Sequence, residues 1–180
     1  KNCEPLEVIN KHIIPALNTV GVGFEEKKIY LPQLLMSAEA ATAAFEKVKN
    51  AMPSNEGTSC GDIVIATVKG DIHDIGKNIV KVILENYGYD ILDLGKDVAP
   101  ERVVEAVRNS GAPLVGLSAL MTTTVASMAE TIHLLHDQAL PCKVMVGGAV
   151  LTPEYAAEIG ADFYAKDAKA SADIAKEVLG

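Results

Sequence analysis

Hydrophobic and polar positions follow two different rhythms along this chain. Before about residue 52 the apolar residues Leu6, Ile9, Ile13, Leu17 and Val20, then Leu34, Leu35, Ala38, Ala41, Phe45 and Val48, recur at helical spacing. They fall on one face each of two helices. Pro5 and Pro32 suit first turns, where the missing N–H would be unpaired anyway. Pro15 predicts a kink in the first helix. Residues 21–30, carrying Phe24, read as the turn between the helices. Two helices are too few for a stable bundle, so partner helices are expected upstream or from the other domain. Residues 52–61, with Pro53, Ser54, Asn55, Gly57 and Ser59, read as a polar linker.

From Asp62 onward short β-branched runs alternate with helical segments. Strands are predicted at 63–68, 90–94, 114–120, 143–146 and 162–164, and helices at 77–86, 100–109, 125–138, 153–159 and 170–179. This alternation predicts an α/β fold: a flavodoxin-like (Rossmann-like) five-stranded parallel sheet, preceded by a partial helical-bundle cap. The expected domains are a cap over residues 1–53 and a sheet domain over 61–180. In strand order 2-1-3-4-5 the crevice opens beside the ends of strands one and three. The loops expected there are 70–76 and 118–124, flanked by Gly147 and Gly148.

The chemistry concentrates on those loops. In Gly70-Asp71-Ile72-His73-Asp74-Ile75-Gly76 a strand ends, a histidine follows a carboxylate by two residues, and a helix begins. An imidazole held by a carboxylate is how proteins prepare histidine to ligate a metal. The same residues also fit a plainer role, with Asp71 capping the next helix and His73 a surface residue. Gly70 and Gly76 bracket the loop and permit close backbone approach by a ligand or a neighbouring chain. His12, His133 and His136 lie in helical contexts, and a protein zinc site needs three or four ligands. A lone histidine suits a metal that brings most of its own ligands, such as one in a tetrapyrrole-like macrocycle. Ser118, Thr122, Thr123 and Thr124 place four hydroxyls at the end of a buried strand, for a polar ligand or for capping. Gly147-Gly148 reads as a slot free of side chains or as a plain turn. Phe24 and Leu31, apolar at a helix turn, are core by default.

Composition narrows the classes. Aromatic residues make up 4% of the 180, with no Trp, and the formal net charge is −8. Both disfavour nucleic-acid binding. No apolar run approaches a membrane span of about 18 residues. Cys3, Cys60 and Cys142 form neither a disulfide framework nor a zinc motif, which fits a reducing cytoplasm. The start at Lys1 rather than Met, in the approach to a helix, reads as that of a fragment.

Together these residues resemble the cobalamin-binding module of corrinoid-dependent methyltransferases. Asp71-Ile72-His73-Asp74-Ile75-Gly76 matches its Asp-x-His-x-x-Gly motif, Ser118-Ala119-Leu120 its Ser-x-Leu, and Gly147-Gly148 its paired glycines. The resemblance extends over essentially the whole chain. It implies cobalamin (methylcobalamin or cob(I)alamin) or a related corrinoid as cofactor, with His73 as the lower axial ligand of cobalt. Asp71 and Thr124 complete a ligand relay, Thr124 standing where methionine synthases carry serine. A nucleotide tail is expected near Ser118, Leu120, Gly147 and Gly148. Thr122 and Ala168 match other cofactor-contacting positions, while Phe24 and Leu31 match residues that shield the upper face. Asn10 stands where a cap glutamate occurs in the family.

The implied function is a methyl-carrier module, not catalytic alone, working with methyl-donor and methyl-acceptor methyltransferase domains or subunits and a reductive activation partner. Its first version is part of a methionine synthase, moving methyl from methyltetrahydrofolate to homocysteine. The alternative is a stand-alone corrinoid protein of a methanol, methylamine or aryl-ether system. Adenosylcobalamin mutases share the histidine motif but generally lack the helical cap. A cobalamin-dependent regulatory module usually carries a tryptophan in its bundle, absent here. A cofactor-free, receiver-like module needs an acceptor Asp where strand three ends in Ser118.

Overall fold

A computed structural model describes residues 5–51 and 60–180. The chain divides into two units, Lys1–Ser54 and Asn55–Gly180. In the first, α1 (Pro5–Val8) runs through a π-helical turn, Ile9–Ile13, into α2 (Ile14–Glu25), and α3 (Leu31–Ala51) follows. The irregularity expected at Pro15 takes the form of that π turn. Pro15 has no N–H to return to the preceding turn, so the hydrogen-bond register changes just before it. The expected turn over 21–30 is shorter than its glycines suggested, because α2 continues to Glu25. Only residues 26–29 turn, closed by the N–H groups of Lys28 and Ile29 donating to the Gly23 carbonyl at 2.8 and 2.9 Å. A side chain on Gly23 would stand 2.7 Å from Ile29 Cδ1, so this glycine is there for packing. Most of the linker read at 52–61 lies outside the described residues.

In the second unit five strands form one parallel sheet in the order β2-β1-β3-β4-β5: β1 (Asp62–Thr67), β2 (Asp90–Asp93), β3 (Leu114–Ser118), β4 (Lys143–Gly147) and β5 (Phe163–Tyr164). Helices α4 (Ile75–Asn86), α5 (Pro100–Ser110), α6 (Val125–Asp137), α7 (Pro153–Glu158) and α8 (Ala168–Leu179) make the crossovers and the last helix. This is the flavodoxin-like architecture expected. Ile63 to Thr67 and Leu114 to Leu117 are buried without alternation, as strands covered on both faces must be. Met128, Ile132 and Leu135 of α6 pack with Val103, Val104 and Val107 of α5 in the core cluster.

One boundary bears on function. β3 was expected to reach Leu120 but ends at Ser118. Beyond it the Leu120 and Met121 N–H groups donate to the Asp71 carboxylate, at 2.7 and 3.3 Å, instead of extending the ladder. The strand stops where a buried acceptor replaces its neighbour.

Candidate functional site

The ends of β1 and β3 are register partners, Thr67 opposite Ser118, and Thr67 Oγ1 lies 3.0 Å from Ser118 Oγ. After Val68 the chain turns at Gly70, whose φ of +85° belongs to glycine's range, and presents Asp71 to the β3 end. Gly70 therefore serves the turn, a reason distinct from the ligand approach inferred from sequence. A Cβ on Gly76 would meet no protein atom within 4 Å, so at this second glycine the chain does leave open space.

Asp71 is 0% exposed and fully engaged. Its Oδ1 accepts from the His73 backbone N–H at 2.9 Å and from His73 Nδ1 at 2.8 Å. Its Oδ2 accepts from the Leu120 N–H at 2.7 Å and from the Thr124 hydroxyl at 2.9 Å. Burial pushes this carboxyl up, but hydrogen bonds from the His73 and Leu120 N–H groups, the His73 ring and Thr124 outweigh it. They lower the pKa from 3.8 to about 2. The carboxylate is therefore ionised and accepts the Nδ1–H; in the neutral ring this leaves Nε2 with the free lone pair. The capping alternative for Asp71 fails, since α4 begins after Asp74 and carries no side-chain cap.

The His73 side chain is 45% exposed while its carboxylate partner is sealed from water. Ile72 and Leu120, at the same strand ends, are 62% and 44% exposed. One oriented nitrogen, apolar side chains turned outward and open space at Gly76 suit a flat macrocycle that needs a single protein donor. Among the described residues no group of three or more His, Cys, Asp or Glu could hold a metal ion. The residues fit a corrinoid.

Other expected positions divide. Gly147 is the register partner of Ser118, and the Gly147-Gly148 backbone lies close against protein on the side where a Cβ would stand. A Cβ on Gly148, at φ +146°, would sit 1.8 Å from the Ala119 carbonyl oxygen, and one on Gly147 would stand 3.1 Å from that of Ala165. The pair lets the β4 end close against its neighbours. Thr124 is buried and joins Asp71, whereas Thr122 is exposed on the short 3-10 turn Thr122–Thr124. Asp74 immediately precedes α4, and Ala168 opens α8, buried. Phe24 lies on α2 of the helical unit and is 39% exposed. The side chains of Leu31 and Asn10 lie outside the described residues.

Three residues escaped the sequence reading. The buried Lys77 reaches Asp93 at 2.6 Å, and Asp97 accepts from the Gly70 N–H at 2.7 Å. All are ordinary charged residues at or near element ends, and the parallel pairing of β1 with β2 brings Asp93 and Asp97 to the histidine loop.

The chain matches the B12 binding domain family over residues 61–173, and a second family, also described as a B12 binding domain, over 1–49. It belongs to the B12-binding proteins. Its relatives include dimethylamine corrinoid protein 1 of Methanosarcina acetivorans, 44% identical over 98% of this chain and 84% of the relative. The dimethylamine corrinoid protein of Methanosarcina barkeri is 43% identical over the same shares. Among solved structures the monomethylamine corrinoid protein of M. barkeri superposes with a TM-score of 0.89, at 34% identity, over 98% of this chain and 85% of that one. The methanol:cobalamin methyltransferase complex MtaBC of M. barkeri gives 0.66 at 29% identity, over 98% and 68%. The receiver domain of NarL from Mycobacterium tuberculosis, at 15% identity and 0.50 over 67% of this chain and 96% of that one, shares the fold. This B12-binding chain is thus a corrinoid protein of the methyltransferase kind, with cobalamin or a related corrinoid as its cofactor. The first version of its function, methionine synthase, gives way to the alternative, because these relatives are methylamine corrinoid proteins. Among the described residues no helix is long and apolar enough to cross a membrane.

Proposed function

We propose that this chain is the methyl-carrying corrinoid protein of a methylamine methyltransferase system, with dimethylamine as the first substrate to test. The observation that carries the chemistry is the fully engaged Asp71 behind a half-exposed His73. The similarity to dimethylamine corrinoid proteins supports the substrate class.

His73 Nε2 is the atom that would hold cobalt, and Asp71 fixes both the tautomer and the ring plane. Thr124 and the Leu120 N–H hold Asp71 in turn, so the ligand is backed through two strand ends. A bound corrinoid supplies a cobalt that accepts and releases a methyl group. The chain's own part is to bind, orient and tune, while methyltransferase subunits present donor and acceptor. Ser118, Leu120, Thr122, Gly147, Gly148 and Ala168 belong to the proposed cofactor contacts, with Phe24 and Leu31 as the proposed shield in a cap formed by residues 1–53. A reductive activation partner and a cytoplasmic setting complete the proposal.

The test is the visible spectrum of the chain loaded with methylcobalamin and desalted, beside His73→Gly. Wild type is expected to retain the corrinoid with the histidine coordinated and the variant to lose that signature. Loss of all corrinoid from folded wild type overturns the reading. Methyl transfer from dimethylamine, methanol or monomethylamine, with the matching methyltransferase added, then decides the substrate.

A further inference from the structure

We infer that Asp97, in the loop between β2 and α5, is a positioning residue for His73; the inference rests on the reading of His73 as the cobalt ligand. Asp97 does not touch the imidazole. It grips the two residues that lead to it. Its Oδ1 accepts from the Gly70 N–H at 2.7 Å, and its own N–H donates to the Asp71 carbonyl at 3.0 Å. The contacts bracket Gly70–Asp71 from outside, on the side opposite β3.

The backbone of Asp97 makes this two-point grip possible. Its φ is +54°, the left-handed region that favours glycine and that Asp and Asn tolerate better than other residues. An exposed position with that backbone asks only for Gly or Asn; a carboxylate adds a charged acceptor for the Gly70 N–H. The following residue continues the junction, with Val98 N–H donating to the Thr67 carbonyl at 3.1 Å.

The other end of the histidine loop is tied to the same stretch. Lys77, in the first turn of α4 with its side chain 3% exposed, reaches Asp93 Oδ1 at 2.6 Å. That oxygen also accepts from the Gly95 N–H at 2.9 Å. Residues 93–97 therefore hold the loop at residue 70 and at residue 77, with His73 between. Asp71 sets the ring through its side chain, and Asp97 sets where Asp71 begins. Groups that orient a metal-ligating imidazole at one remove typically change its binding about 10- to 100-fold when lost.

The experiment uses Asp97→Gly and Asp97→Asn, both of which accept the positive φ. Each full-length variant is loaded with methylcobalamin, and the ratio of histidine-coordinated to uncoordinated corrinoid is read from the visible spectrum. Amide exchange at Gly70 is followed in the corrinoid-free chain, and His73→Ala defines the uncoordinated spectrum. Asp97→Gly is expected to lower the ratio roughly tenfold and to speed exchange at Gly70, with Asp97→Asn restoring most of both. A wild-type ratio in Asp97→Gly, with His73→Ala shifted, overturns the role of Asp97 alone. A His73→Ala spectrum identical to wild type overturns the ligand reading and this inference with it.

Discussion

In the helical unit Ile9, Ile13 and Phe45 are the buried hydrophobic residues among those described, while Val22, Phe24, Tyr30 and Met36 turn apolar surface outward. In the sheet unit every residue from Ile63 to Val68 is buried, and one contiguous cluster joins β1, β3 and β4 to α5, α6 and α7. The difference teaches where each sequence spends its hydrophobicity. A parallel sheet closed by crossover helices consumes its own apolar surface and so specifies itself. Among the described residues of the helical unit, four large apolar side chains stay outside its own packing. Periodicity alone reads the same in both cases, and only burial separates them.

The sharpest break of that contrast lies at Gly148. Gly148→Ala is expected to cost more than about 4 kcal/mol, since its Cβ would overlap the Ala119 carbonyl at a φ that alanine avoids. Chemical denaturation reads this, with Gly76→Ala as a neutral control. Next come core truncations. Leu114→Ala, in the sheet, should cost about 3–4 kcal/mol and Ile9→Ala, in the sparser unit, about 2 kcal/mol. Equal losses in the two variants would contradict the contrast.

Acid sharpens it further. The Asp71 pKa is lowered from 3.8 to about 2, so its contribution is complete above pH about 4 and is lost as pH falls through about 2. About 2 kcal/mol of sheet stability should disappear across that window. Asp71→Asn removes this pH dependence, and denaturation midpoints at pH 5 and pH 2.5 measure it. The smallest effect is expected from Phe24→Ser, about 1 kcal/mol, because that side chain is already 39% exposed. A larger loss in a melting curve would show that the helical unit depends on it.

The sheet was legible from sequence because five apolar runs, each with a helix behind it, admit few topologies, and its strand order followed. Asp71, His73 and Thr124 were legible as a set through resemblance, since a strand end, a carboxylate and a histidine have to share one loop. Two of the glycines carry a reason that the sequence does not display. Gly70 and Gly148 answer to backbone φ and to the Ala119 carbonyl, a neighbour 29 residues from Gly148 in sequence. Asp97 and Lys77 stayed hidden for a related reason. Their partners, Gly70 and Asp93, are 27 and 16 residues away, and a charged residue at an element end carries no periodic mark.

The sheet's two margins have a consequence for how this protein keeps company. One margin, β2, is four residues long with an aspartate at each end; the other, β5, is two residues long. Neither offers a second chain a long ladder of unpaired backbone groups. A methyl carrier has to visit more than one partner and leave each of them. Margins this short favour passing encounters over strand-to-strand adhesion, even where the protein is crowded.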